Sequence, residues 1–417
     1  MKIAFFVYEY PPAVVGGLGT YAQYITRELV RQGHDVTVLA MNKGDLKTRE
    51  VLQGVEVHRS IGVDATNVFP SLVLEELRYW GSFFNDIFVY NILSASKFIN
   101  QLINREEMRF DVVAVHDWLS AIAGLVVDNQ TNLPVVFHVH STEWGRRADG
   151  GSPTVLHLEW EMQLKADRVV TVSQAMRDDL VRHNWQGSKI SVVWNGVDPQ
   201  VYDPDRVSRE EVDGLRQGYG IAPDEIMLLF VGRLTWVKGV RNLVQALPEV
   251  LRDYPKVKLV ILGKGEEQRD ISELASRLGI SDRVITRYEF VSEAERITHY
   301  AASDLCVFPS VYEPFGIVSL EAMSLGKPLI VGANGVVGFR EQVVPSGVDQ
   351  NGLHVDGNSP MDIAWGIKTA LKDSELLRVW GIKGRERVQK LFTWEQAAKQ
   401  TANLYQEVSE KKRSGNP

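Results

Sequence analysis

The sequence predicts an α/β protein built from two doubly wound parallel-sheet domains in succession, facing a central cleft. Three observations predict it. Short β-branched apolar runs alternate with helical stretches, the pattern restarts after about residue 200, and a segment rich in Asn-Gly and proline separates the two series. With 417 residues, 44 % hydrophobic and 24 % charged, the chain can fill two cores at roughly 100 to 200 residues per domain.

The first series runs K-I-A-F-F-V, D-V-T-V-L-A, D-V-V-A-V-H, P-V-V-F-H-V, R-V-V-T-V-S and I-S-V-V-W. Such runs have no polar face, so they read as strands covered on both sides by crossover helices. One stretch departs from the alternation: Val68 to Ile103 carries Trp80, Phe83, Phe84, Phe88 and Tyr90 among few charges. It reads as a buried helical excursion, with an acceptor or subunit surface as the alternative. The junction Trp194 to Asp205, W-N-G-V-D-P-Q-V-Y-D-P-D, breaks regular structure and supplies a hinge between a domain of residues 1–200 and one of 201–417. Within it Asp203-Pro204-Asp205 reads as a turn rather than a D-x-D metal motif. The second series runs M-L-L-F-V-G, K-L-V-I-L-G, R-V-I-T-R-Y, D-L-C-V-F-P and P-L-I-V-G. The last helical stretch, Thr393 to Val408, can pack on either domain. Open parallel sheets bind ligands outside the carboxyl ends of their strands, which is where the cleft is expected.

Several functions are disfavoured. A formal net charge of -7 without a basic block does not favour a nucleic acid partner. The lone Cys306 sits in an apolar run and reads as a buried small hydrophobe, and no intramolecular disulfide can form. Glu9 comes too early for a signal-peptide core, and no run of about 18 apolar residues exists. A cytoplasmic location without a transmembrane segment is expected.

The candidate chemistry lies where strands end. Glu313 and Glu321 flank Pro-Phe-Gly after D-L-C-V-F-P, with a helix expected from near Gly316 to Gly326. The amides of Gly316, Ile317 and Val318 at that helix start form an anion site, and two carboxylates nearby suit a polyhydroxylated group. The alternative has Glu313 capping the helix and Glu321 as a solvated charge. Gly16, Gly17 and Gly19 precede a helix and allow a phosphate to approach the backbone, or form a plain tight turn. Arg233 and Lys238 follow the first strand of the second series; two cations there suit a diphosphate, or simply face solvent. His116-Asp117 and His138-Val139-His140 end first-domain strands and are expected to face the cleft, the alternative being that such strand-end histidines are satisfied structural donors. No helical H-x-x-x-H or cysteine partner accompanies them, so no metal is expected.

In this order the blocks G-G-L-G at 16 to 19, H-D-W at 116 to 118, V-H-S-T-E-W-G at 139 to 145, N-G-V-D at 195 to 198, G-R-L-x-x-x-K-G at 232 to 239 and E-P-F-G-x-x-x-L-E-A-M at 313 to 323 resemble the retaining glycosyltransferases of the GT-B fold, in the branch of bacterial and archaeal glycogen (starch) synthases. The resemblance covers essentially the whole chain. It implies transfer of glucose from a nucleotide sugar, ADP-glucose or UDP-glucose, to the 4-hydroxyl of an α-1,4-glucan, with no metal or other cofactor. The first domain would take the acceptor and the second the donor. By the same resemblance Arg233 and Lys238 hold the donor diphosphate, Glu321 the ribose hydroxyls and Glu313 the transferred sugar. Gly17 approaches the phosphates, the amides of Gly316 to Val318 hold sugar hydroxyls or phosphate, and His140 and Asp117 line the sugar and acceptor site. Val14 stands where ADP-glucose-using bacterial synthases carry the lysine of K-x-G-G-L, which leaves UDP-glucose open. Trp118 and Trp144 would stack on glucan rings or pack internally. Alternatives are a small acceptor such as glucose 1-phosphate, favoured by Arg146 and Arg147, and a non-catalytic glucan or nucleotide-sugar binding protein.

Overall fold

A computed structural model describes residues 1–14, 16–64, 81–147, 150–289 and 291–415. The chain divides into two compact units: Met1–Val172 with Arg177–Trp194 and Trp394–Pro417, and Ser173–Met176 with Asn195–Thr393. The last helix, Trp394–Arg413, thus belongs with the first unit.

The first unit holds an eight-stranded sheet in the order β3-β4-β2-β1-β5-β6-β7-β8. Its strands are β1 Lys2–Phe6, β2 Asp35–Asn42, β3 Arg49–Leu52, β4 Val55–Ile61, β5 Val112–His116, β6 Val135–Val139, β7 Arg168–Thr171 and β8 Ile190–Val192. All pairs are parallel except β3 with β4. Phe5 and Phe6 point to opposite faces of β1, and both are wholly buried. The sheet is therefore covered on both sides, which is why its central strands read as unbroken apolar runs. The β3–β4 hairpin at the edge was not expected; with the burial of β3 alternating between half-buried and exposed positions, it carries Arg49, Glu50 and Glu56 and lacks that signal.

The second unit holds six parallel strands in the order β11-β10-β9-β12-β13-β14. They are β9 Ile226–Val231, β10 Val257–Leu262, β11 Val284–Arg287, β12 Leu305–Phe308, β13 Leu329–Gly332 and β14 Gly352–Val355. The short edge strand β14 was also missed. Cys306 on β12 is wholly buried against Ser303, and burial pushes its thiol up to about 12, so it packs as a hydrophobe.

Strand order decides where a ligand belongs. In the first sheet the chain runs outward from β1 through β2 on one side and from β5 through β8 on the other. The order reverses between β1 and β5, and in the second sheet between β9 and β12. The crevice at the carboxyl ends of those strand pairs is where open α/β sheets bind.

Two expectations need correction or restriction. Asn195 to Asp205 carries no long element, yet it is no loose tether: Val197 and Tyr202 are buried, Val197 N–H donates to Phe392 O, and Arg385 pairs with Asp203, all within the second unit. Asp203 caps a single turn at Pro204–Arg206, as a turn reading requires. Of the aromatic excursion, residues 68 to 80, including Trp80, lie outside the described residues. The remainder forms the helix Gly81–Ser96 and the π-helix Lys97–Ile103, which bury Phe84, Tyr90 and Phe98 while Phe83 stays exposed. Among the described residues no helix is long and apolar enough to cross a membrane.

Candidate active site

In the first unit the residues after β1 and β5 flank the switch point. Gly16 precedes the helix Gly17–Arg31, and its N–H donates to Glu9 Oε2 at 3.1 Å. Neither Gly16 nor Gly17 has a positive φ, and a Cβ on either would meet nothing within 4 Å. The protein's own packing does not require glycine there. Both glycines leave open space at a helix start, as a ligand phosphate would need.

Asp117, directly after β5, takes φ 52°, ψ 177°, a region occupied almost only by glycine. Hydrogen bonds hold it: its N–H donates to His138 O at 2.8 Å, and its Oδ1 accepts the His140 N–H at 2.7 Å. The half-buried His140 ring lies 4.3 Å from that of Tyr21, and its Nε2 has no partner among the described residues.

His116 and His138 do not line an open surface, contrary to expectation. They are buried in register on β5 and β6, with rings stacked at 4.5 Å. His116 Nδ1 lies 3.0 Å from Phe6 O, and His138 Nε2 lies 2.7 Å from the Tyr405 hydroxyl. Burial drives all three imidazoles below their ordinary value, with neighbouring histidines adding to the effect on His116 and His138 while Asp117 opposes it at His140. Their nitrogens come within 4.8 Å of one another. His138 nevertheless spends both nitrogens on the Tyr21 and Tyr405 hydroxyls, as a structural donor would.

The loop after β6 is braced from below. Glu159, on the helix Pro153–Lys165, accepts the Glu143 N–H at 3.0 Å, and burial pushes its carboxyl up to about 8, against the pull of Arg146. Glu143 in turn accepts the Ser152 N–H and pairs with Arg146 at 3.2 Å. Arg146 also donates to Ser141, so it is committed to the loop. Trp118 is buried among Ile87 and Val155, and Trp144 donates to Asp179 and stacks on His183 at 4.4 Å. Both tryptophans pack internally.

In the second unit the loops after β9 and β12 meet. Gly239, at φ 67°, lies so close to β12's end that a Cβ would stand 2.1 Å from Pro309 O. This contact seats Lys238 against Glu313, and the two form an ion pair. Arg233 is exposed and has no partner among the described residues. Glu313 is held by its backbone, its N–H donating to Val336 O and its carbonyl accepting the Gly338 N–H at 2.7 Å, so it does not cap the helix. Gly316 has φ 86°, and a Cβ would fall 2.0 Å from Phe339 Cε1. The helix Ile317–Ser324 follows, and the N–H groups of Gly316, Ile317 and Val318 have no partner among the described residues.

Glu321 is not a solvated charge. It is 4 % exposed, and Tyr202, Arg296 and Tyr300 all donate to it. Sequence reasoning missed these three. Arg296 and Tyr300 stand four apart on one face of the helix Glu293–Ala302, a usable signal, whereas Tyr202 arrives from the distant junction.

Residues 212–387 match the family Glycosyl transferases group 1, and residues 15–201 match Glycosyltransferase Family 4. A glycosyltransferase of Methanocaldococcus jannaschii is 32 % identical over 97 % of this chain and 98 % of its own length. The chain belongs to the glycosyltransferases. A glycogen synthase of Mycobacterium tuberculosis is 28 % identical over 97 % of this glycosyltransferase and 94 % of its own length. The structure of a sucrose-phosphate synthase from Thermosynechococcus elongatus superposes with a TM-score of 0.80 at 24 % identity, over 98 % of both chains. The glycosyltransferase thus has the GT-B type of fold.

Proposed function

We propose that this glycosyltransferase moves glucose from ADP-glucose or UDP-glucose to the 4-hydroxyl of an α-1,4-glucan with net retention. The observation that carries the reading is the convergence at the β9/β12 switch point of Arg233, the Lys238–Glu313 pair and three unpartnered amides. Two cations beside free N–H groups match a diphosphate, and a carboxylate beside them matches sugar hydroxyls.

Each residue then has a task. Arg233 forks onto the diphosphate, and Lys238 leaves Glu313 to join it, neutralising charge as the leaving group departs. Released, Glu313 accepts from a hydroxyl of the transferred sugar, while the amides of Gly316 to Val318 hold oxygens of the donor. In the first unit Gly16 and Gly17 admit the phosphates, and Asp117 fixes the His140 backbone so that His140 presents to the sugar. The leaving phosphate oxygen takes the acceptor proton on the same sugar face, so no dedicated base is needed. The positive charge comes from side chains, and the reading calls for no metal or other cofactor.

Of the two arginines that would favour a phosphorylated small acceptor, Arg146 is bonded to Glu143 and Ser141 within its own loop. A protein that merely binds glucan or nucleotide sugar would hold the donor without releasing nucleoside diphosphate, which an assay of donor turnover reads. The test offers labelled ADP-glucose or UDP-glucose with glycogen or with glucose 1-phosphate. Label entering polymer in α linkage, read by proton NMR, is expected; label only in a disaccharide phosphate would replace the acceptor.

A further inference from the structure

The carboxylate of Glu321 is gripped from three sides. Oε1 accepts from the Tyr202 hydroxyl at 2.8 Å and from Arg296 Nη2 at 3.1 Å, and Oε2 accepts from the Tyr300 hydroxyl at 2.9 Å. Arg296 Nη2 also lies 2.6 Å from the Tyr202 oxygen, and Glu293 Oε1 stands 3.1 Å beyond that oxygen. An ionised carboxylate offers about four acceptor positions. Three are filled, and the remaining one is on Oε2.

We propose that Arg296 and Tyr300 are positioning residues that hold the Glu321 carboxylate in one rotational setting, with one acceptor position on Oε2 presented to a ribose hydroxyl of the donor. The inference rests on the reading of Glu321 as the ribose carboxylate. Arg296 sets a cation against the carboxylate, and its guanidinium is held well above its ordinary value, chiefly by Glu321. Burial and Glu321 raise both tyrosines, so each stays protonated; Tyr300 donates to the carboxylate, and the single Tyr202 proton lies between Glu321 at 2.8 Å and Glu293 at 3.1 Å. Among the described residues the charged or titratable groups hydrogen-bonded around Glu321 are Tyr202 from the junction and Glu293, Arg296 and Tyr300 from one helix, and Arg296 is the cation of that set.

The experiment measures donor KM and kcat, and calorimetric affinity for UDP and ADP, for the full chain and for Tyr300→Phe, Arg296→Gln, Arg296→Lys and Glu321→Gln. Thermal unfolding is followed in parallel. Loss of one hydrogen bond to a charged group is expected to raise donor KM about 10-fold in Tyr300→Phe, with the effect on KM rather than kcat. Arg296→Gln should show the same rise, again in KM rather than kcat. Arg296→Lys should restore most of the affinity, and Glu321→Gln should bind weakly. If Glu321→Gln weakens the nucleotide while Tyr300→Phe and Arg296→Gln bind as the wild type, the positioning role is overturned and the ribose reading survives. If Glu321→Gln binds UDP and ADP as the wild type does, the ribose reading itself fails and the positioning role with it.

Discussion

Asp117 Oδ1 accepts the backbone N–H of His140 at 2.7 Å, tying the end of β5 to the end of β6 through a residue with a strained backbone. Strain of this kind costs about 1 to 3 kcal/mol and persists only where its surroundings over-determine it.

Asp117→Ala would leave the His140 N–H without its acceptor at a site that is mostly buried. We expect a loss of about 1 to 3 kcal/mol of stability and at least a tenfold drop in kcat. Asp117→Gly should recover part of the stability, since glycine occupies φ 52° without penalty, but none of the activity. Thermal unfolding and nucleotide release on both variants check this, and a fully active Asp117→Ala would refute the role.

Two glycines should respond oppositely to alanine. At Gly17 the added methyl meets nothing in the protein, so stability should hold while donor KM rises. At Gly316 it strikes the Phe339 ring and sits at φ 86°, so Gly316→Ala should lose at least about 2 kcal/mol. Denaturant midpoints separate the cases. An unchanged donor KM in Gly17→Ala would remove that glycine from the phosphate site.

The histidine stack predicts an acid limb. Folding depresses the imidazoles of His116, His138 and His140, so the unfolded chain binds protons that the folded one refuses. Stability is therefore fully present above the unfolded value of about 6.5 and falls as the pH drops through it. At about 1.4 kcal/mol per pH unit for each group, the slope approaches at most about 4 kcal/mol per unit. Urea unfolding at pH 7.5, 6.5 and 5.5 measures it, and a flat profile would contradict neutral burial.

Glu159 predicts the opposite limb. Its carboxyl is raised to about 8 by burial, so its contribution is fully present below its unfolded value and is lost as the pH rises through 8. Glu159→Gln keeps an acceptor for the Glu143 N–H and removes the titration. The variant should gain on the wild type by a few kcal/mol between pH 6 and 9. Equal stability of the two proteins across that range would place the charge elsewhere.

The legible parts of this protein are those where packing dictates residue type. β9 and β12, and β1 and β5 apart from Lys2 and His116 at their ends, are apolar runs buried on both faces, and Gly239 and Gly316 must be glycine because neighbouring groups stand about 2 Å from where a Cβ would be. The edge strands β3 and β14, and β4 beside β3 with its charged positions Glu56 and Arg59, escape this rule, which is why they went unread. Polar partnerships across long separations are equally hidden. Nothing local marks Tyr202 as a donor to Glu321, or Tyr405 on the last helix as the cap on His138. For Trp118, Trp144 and Arg146 the sequence left a ligand contact open beside internal packing, because loop aromatics and arginines serve both. The structure gives each an internal partner instead.

The account turns on the diphosphate site at the β9/β12 switch point, and one comparison tests it most directly. Wild type and Arg233→Ala are given UDP-glucose or ADP-glucose with glycogen, and released nucleoside diphosphate is measured beside thermal unfolding. Arg233 is exposed and unpartnered among the described residues, so its loss should leave the unfolding temperature unchanged while turnover falls by about 100-fold or more. Near-normal release by Arg233→Ala, or no release from either donor by the wild type, would contradict the assignment.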